Sequence, residues 1–431
     1  MKPIITQVAP AVHCCAITAT RFKTSRMVLQ MALPLRLHED KQTAAAALLP
    51  FLLHRSCAAY PTPHALESKL ADLYGAKLSA NVAKLGETQL LSIALTAIDD
   101  RFALANENVA QGCADLLLDL LFCPVLEEDM FTQSAVELEK RLLIERLESE
   151  EGDKWAFAAR RAEALMCSNE AYGLNPLGEK QAIADLTAED ITQIWRNMLK
   201  TAPMQLTMVS NATCHGICEA LRARFAGQAR VPVALATAFI KTAGEIKTIT
   251  EEQAVEQANL VLGLRAGVSD AAENHYALRV MDDLFGGGVY SKLFVTVREK
   301  MSLCYRVRSY LHRFKGLLLV RAGIDGEKFE ETRDAVLLML AQMQAGEFSD
   351  EDLATAKRAL CDSYATMADL PESLANWYFA SLISGEFTTP EEACAGVNAV
   401  TREQVVAAAQ GVTLDTVYLL AAKKSEEVVN G

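Results

Sequence analysis

Apolar runs, continuous or alternating, recur at "RMVLQMAL" from Arg26, "QLLSIALTA" from Gln89, "ANLVLGLR" from Ala258 and "GLLLVRAGI" from Gly316. Bounded by polar turns, they predict β-strands. Long amphipathic stretches between them predict helices, and two of these are written twice. "LEEDMFTQSAVELEKRLL" from Leu126 has a counterpart in "FSDEDLATAKRALCDSY" from Phe348. "LTAEDITQIWRNMLKTAPMQLTMVS" (Leu186 to Ser210) matches "VTREQVVAAAQGVTLDTVYLLAA" (Val400 to Ala422). In the second pair Thr187 and Thr401 stand where an N-cap belongs, with Glu189 and Glu403 in the first turn. Strands followed by paired helices, doubled along the chain, predict an α+β protein of two tandem homologous domains. Each would be an antiparallel or mixed sheet covered on one face by helices. The expected domains are residues 1–230 and 240–431, joined near the low-charge stretch "AGQARVPVALATAF".

The length of 431 residues suits two cores better than one. With 51% hydrophobic and 23% charged residues and no run of eighteen apolar ones, the composition is that of a soluble protein with no membrane partner. The first residues lack the pattern of a secretion signal, so a cytoplasmic location is expected. Eleven irregularly spaced cysteines then read as reduced, mostly buried thiols. A net charge of −13 argues against a nucleic-acid partner.

Three further segments carry a resemblance. They are "LESKLADLYGAKLSANV" (Leu66 to Val82), "YGLNPLGEKQAIADLTAEDITQIW" (Tyr172 to Trp195) and "FGGGVYSKLFVTVREKMSLCY" (Phe285 to Tyr305). Together with the repeat, they make the chain similar to the pitrilysin/insulinase-type zinc metallopeptidases. That resemblance implies two homologous α+β domains forming half of a clamshell. It also implies an inverted zinc motif, H-x-x-E-H, on the first helix. Here the corresponding helix reads "TAAAALLPFLLHRSCAAYP", which places Ala47, Pro50 and Phe51 where the ligands and the base would stand. No H-x-x-E-H occurs anywhere in the sequence. The resemblance matches Glu145 to the family's third ligand, but without the histidines it reads as an exposed helix residue. No cofactor is therefore expected in this chain.

The family's Arg/Tyr pair is matched by Arg298 and Tyr305. The resemblance implies that these side chains hold and polarise a peptide carbonyl, beside a glycine turn matched by Gly286, Gly287 and Gly288. The plain alternatives are a surface arginine, a packed tyrosine and a turn that touches no ligand. "CHGIC" (Cys214 to Cys218) has ligand-type residues, but a lone cluster without a second pair makes a poor metal site. Cys304 lacks an ordered His/Asp set and reads as a buried thiol. His54 and His64 read as polar surface or satisfied core.

The resemblance is to the zinc-free subunit of two-gene bacterial members. It implies a subunit inactive alone, whose Arg298 and Tyr305 act in trans on a peptide at the zinc of a homologous partner, or else a homodimer. The rival from another class is a non-catalytic peptide-binding or structural subunit.

Overall fold

The structure, a computed structural model, describes residues 2–104, 107–211, 215–269 and 275–423. The chain begins β1 (Ile4–Ala9), β2 (Val12–Thr18), β3 (Thr24–Pro34), α1 (Asp40–Leu53), α2 (Pro63–Asp72), β4 (Lys77–Leu85) and β5 (Thr88–Ile98). It continues with α3 (Val109–Phe122), the short pair β6 (Leu126–Glu127) and β7 (Met130–Phe131), α4 (Gln133–Gly152) and α5 (Lys154–Met166). Next come α6 (Lys180–Ala184), α7 (Ala188–Thr201), β8 (Met204–Ser210), α8 (His215–Phe225), β9 (Lys247–Gln253) and β10 (Ala258–Arg265). After α9 (His275–Asp282) follow β11 (Cys304–His312), β12 (Leu317–Ile324), α10 (Phe329–Gln344) and α11 (Asp350–Ala368). The last elements are α12 (Pro371–Ser384), α13 (Pro390–Ala399), α14 (Arg402–Gln410) and β13 (Thr413–Ala422).

The two large sheets repeat one topology. The first has the order β1-β2-β8-β3-β5-β4 and the second β11-β12-β10-β13-β9. Leaving out β1 and reading the second sheet backwards, β2-β8-β3-β5-β4 corresponds to β9-β13-β10-β12-β11. In each, the leading pair is parallel and the rest are antiparallel. The doubled helix start is equally plain. Thr187 and Asp190 form a capping box on α7, and Thr401 and Gln404 form its equivalent on α14. Reciprocal hydrogen bonds satisfy two of the amides left open at a helix start.

Two compact units result, and neither is continuous in sequence. One comprises residues 1–147, 174–236 and 366–390; the other comprises 148–173, 237–365 and 391–431. In the first, α1, α3 and α7 cover one sheet face through Met27, Leu29 and Met31. Its opposite face receives α12, whose Leu374 and Tyr378 pack on Cys15, Ile17 and Val209. This double cover explains why β8 is buried at every residue and why its sequence is continuously apolar or neutral. In the second unit α5 takes the equivalent place, packing Ala158, Ala162 and Met166 on Val261 and Tyr418. Helices α5 and α12 each follow one copy of the long repeated helix, yet each completes the sheet of the other copy.

The cysteine expectation needs correction at one pair. Cys361 on α11 and Cys394 on α13 are joined in a disulfide, their Cα atoms 5.0 Å apart. The other described cysteines are thiols, mostly buried. Within "CHGIC", Cys218 is buried on α8, and Cys214 lies outside the described residues.

Candidate peptide-binding site

The helix that would carry a metal motif is α1, and apolar burial shapes nearly all of it. Ala44 to Pro50 are buried without exception, and Ala47 is fully enclosed. Pro50 withholds one helical N–H, but the helix continues, because the His54 amide still donates to the Pro50 carbonyl at 3.1 Å. Phe51 is half-buried and receives the guanidinium of Arg146 from α4, 5.6 Å from its ring centroid. One turn further, Arg55 pairs with the buried Glu139 at 2.6 Å.

Glu145 on α4 is the exposed helix residue expected in the absence of the histidines. Glu145 points outward, with its side chain 60% exposed and only Arg141 nearby, at 3.8 Å. The α4 residue that faces Phe51 is Arg146, so a cation stands where the resemblance would place an anion. Ala47, Pro50, Phe51 and Arg146 offer no donor set that fits Zn²⁺, which needs imidazole, thiolate or carboxylate ligands. Among the described residues no three His, Cys, Asp or Glu side chains gather closely enough to share a metal ion. His54 turns its Nδ1 onto the Phe51 carbonyl oxygen at 2.6 Å. With Arg55, Glu67 and Lys77, it lines an open cavity of about 550 Å³. His64 is exposed on α2.

The segment "YGLNPLG" divides its work between the units. Tyr172 is buried in the second, with its hydroxyl 2.7 Å from His312 Nδ1. In the first, Gly178 adopts φ +82° against α1, where a Cβ would lie 2.8 Å from Ala44 Cα, so glycine is required.

In the second unit α9 runs into a π-helical turn, Asp283–Gly287, and a second π-helical segment, Leu293–Lys300, carries Arg298. Gly286 is explained by contact within the chain. A Cβ there would lie 2.7 Å from the Ser309 amide nitrogen of β11, so only glycine lets the turn seat against the strand. Gly287 and Gly288 are likewise crowded by Asp283 and the Tyr290 ring.

Arg298 stacks its guanidinium 4.4 Å from the Phe294 ring centroid and lies 3.6 Å from Glu299. It also sits within electrostatic reach of Cys304. Burial pushes that thiol up to about 11, and the arginine's charge opposes the rise. Cys304 is therefore a protonated core thiol at neutral pH.

Tyr305 is 61% exposed. The register explains why: Cys304 pairs with Ile324 and Arg306 with Gly323, so Tyr305 is the extra residue of a β-bulge. Bulges redirect a side chain away from the regular alternation of a strand. Arg298 and the bulged tyrosine are thus brought to the same end of β11, at the margin of the sheet.

Beneath the glycine turn lie two adjacent buried carboxyls that sequence reasoning missed. Asp282 accepts a hydrogen bond from the Ser309 hydroxyl, and Asp283 accepts one from Tyr290 at 2.6 Å. Burial raises Asp282 to about 7; the Ser309 bond opposes this, and the neighbouring Asp283 adds to it. The acidic doublet before three glycines was the available signal.

Residues 185–360 match the family profile of the peptidase M16 inactive domain. The probable inactive metalloprotease YmfF of Bacillus subtilis is 29% identical over 93% of each chain. This chain resembles the M16 peptidases. An uncharacterised zinc protease of Mycobacterium tuberculosis is 23% identical, over 94% of this chain and 87% of the relative. A conserved protein of Enterococcus faecalis V583 shares the fold with a TM-score of 0.86 at 24% identity, covering 98% of this chain and 99% of that one. The peptidase M16 inactive domain from Pseudomonas fluorescens shares it with a TM-score of 0.78 at 15% identity, over 98% and 99%. No described helix is long and apolar enough to cross a membrane.

Proposed function

We propose that this chain is the zinc-free subunit of a heterodimeric peptidase, inactive alone. Arg298 and Tyr305 bind and polarise a peptide at the zinc of a homologous partner, beside the turn of Gly286 to Gly288. The observation that carries the reading is a contrast between its two units. The α1–α4 face sets Ala47, Pro50, Phe51 and Arg146 where a metal site would stand, while Tyr305 is held out on a bulge with Arg298 nearby. An exposed tyrosine on the bulge of an edge strand is not explained by packing. Its hydroxyl can donate to a carbonyl oxygen as negative charge develops, and Arg298 can hold a neighbouring carbonyl.

Purification of the chain from its native host tests the partnership. A homologous chain with intact H-x-x-E-H and one zinc per complex is expected to come with it. Isolation as a lone chain or a homodimer, with no zinc-bearing homologue, would leave the non-catalytic peptide-binding role as the better reading.

A further inference from the structure

Along the strand that carries Tyr305 the charge of the chain reverses. Residues 298–321 hold seven Lys and Arg against a single Glu, in a chain whose net charge is −13. Three of these arginines meet on one face of the second sheet. Arg308 of β11 stands directly opposite Arg321 of β12, and Arg306 stands opposite Gly323, two residues along. Like charges directly opposite each other destabilise a sheet. Gly323, opposite Arg306, carries no side chain, and the Arg306 stem lies over it, 3.4 Å from where a Cβ would be.

An aromatic clamp holds the guanidinium groups. The Arg306 guanidinium carbon lies 3.5 Å from the Trp155 ring centroid and that of Arg321 lies 4.2 Å away, with Trp155 supplied by α5. Tyr310 stands 5.1 Å from Arg321 and 5.6 Å from Arg308. Arg321 donates through Nη2 to the Trp155 carbonyl, while its Nε is buried without a hydrogen-bond partner. Burial holds both Arg306 and Arg321 below the ordinary arginine range.

Nearby carboxylates are occupied elsewhere. Asp153 accepts from the Trp155 and Ala156 amides as the cap of α5, and Glu163 lies 3.3 Å from His312. Asp282 and Asp283, whose titration feels the charge of Arg308, are bonded to Ser309 and Tyr290. The cluster is therefore clamped by aromatic rings, and among the described residues no carboxylate makes an ion pair with Arg306, Arg308 or Arg321.

We propose that the Arg306–Arg308–Arg321 face binds the carboxylates of an acidic peptide, making acidic peptides the class this subunit selects. The proposal rests on the peptide-binding reading above and deepens it. Guanidinium groups match carboxylates through paired N–H donors, and ring stacking fixes their planes in advance.

Fluorescence anisotropy of the full chain without any partner provides the test, using labelled peptides of equal length rich in Glu, Ser or Lys. The Glu-rich peptide is expected to bind at least about tenfold more tightly than the Ser-rich one, as one charge-assisted bond would give. Arg306→Ala and Arg308→Ala should each remove most of that preference while leaving thermal unfolding and Ser-rich binding unchanged. Arg308→Lys should retain part of it. Equal binding of all three peptides, or arginine variants that keep the preference, would overturn the proposal. So would inorganic phosphate displacing the Glu-rich peptide at equal concentration, since the site would then be one for phosphate. A chain that shows the preference but joins no zinc-bearing complex would keep this inference and reject the peptidase role.

Discussion

Asp282 shows how one buried group ties chemistry to folding. Its folded value of about 7 lies above the ordinary 3.8, so the folded state favours the protonated form. Stability from this group is complete below the ordinary value and is lost as pH rises toward and through about 7. The slope in that window approaches about 1.4 kcal/mol per pH unit. Urea unfolding at several pH values should therefore show falling midpoints between mildly acidic and neutral pH. Asp282→Asn, which cannot ionise, should flatten the curve there; an unchanged slope would remove Asp282 as the cause. At this scale the sequence was partly legible. Ala47, Pro50 and Phe51 could be placed by their neighbours, because a missing ligand is visible as a residue type. Arg146 could not, because helix rotation decides whether residue 145 or 146 faces α1. The bulge at Tyr305 was also hidden, since it depends on register with β12.

Among the elements, α5 depends on a charged weld. Glu170, just beyond it, accepts from both terminal nitrogens of Arg265 on β10 and lies 2.7 Å from Lys315 Nζ. Arg265 also reaches Asp415 of β13 at 2.9 Å. Burial raises Glu170, but the bonds from Arg265 and Lys315 outweigh it, leaving the carboxyl below its ordinary value. That contribution is present above the ordinary value of 4.5 and is lost as pH falls through the lower folded value. Glu170→Ala removes the carboxylate that the buried Arg265 and Lys315 share, leaving Arg265 with Asp415, and should cost about 3–5 kcal/mol by chemical denaturation. A loss under about 1 kcal/mol would show that water or neighbours satisfy both cations. The capped helices and their following strands were readable because a cap and a change of period are local signals. The opening strands β1, β2 and β9 were not, since they are short and less continuously apolar. The exchange of α5 and α12 was unreadable too. A helix's sequence shows which face is apolar, not which sheet will cover it.

For the whole molecule, duplication is the organising fact, and the two copies differ at the sites that the proposed function uses. Both sheets keep one topology and both capping boxes persist. The first copy carries the helix where the resemblance places a metal motif, with Ala47, Pro50 and Phe51 in its place, and the second carries the bulged Tyr305. A missing metal motif alone fits an inert scaffold; a missing motif with a carbonyl-binding pair fits a subunit that completes another chain's site. The two differ in what happens when a single oxygen is deleted from Tyr305. The decisive measurement is peptide turnover by the chain mixed with its zinc-bearing homologue, comparing native protein with Tyr305→Phe after size analysis confirms equal assembly. The account predicts no turnover by either chain variant alone, turnover by the native mixture, and a loss of about a hundredfold or more with Tyr305→Phe. Undiminished turnover with Tyr305→Phe, or stoichiometric zinc and activity in the lone chain, would contradict it.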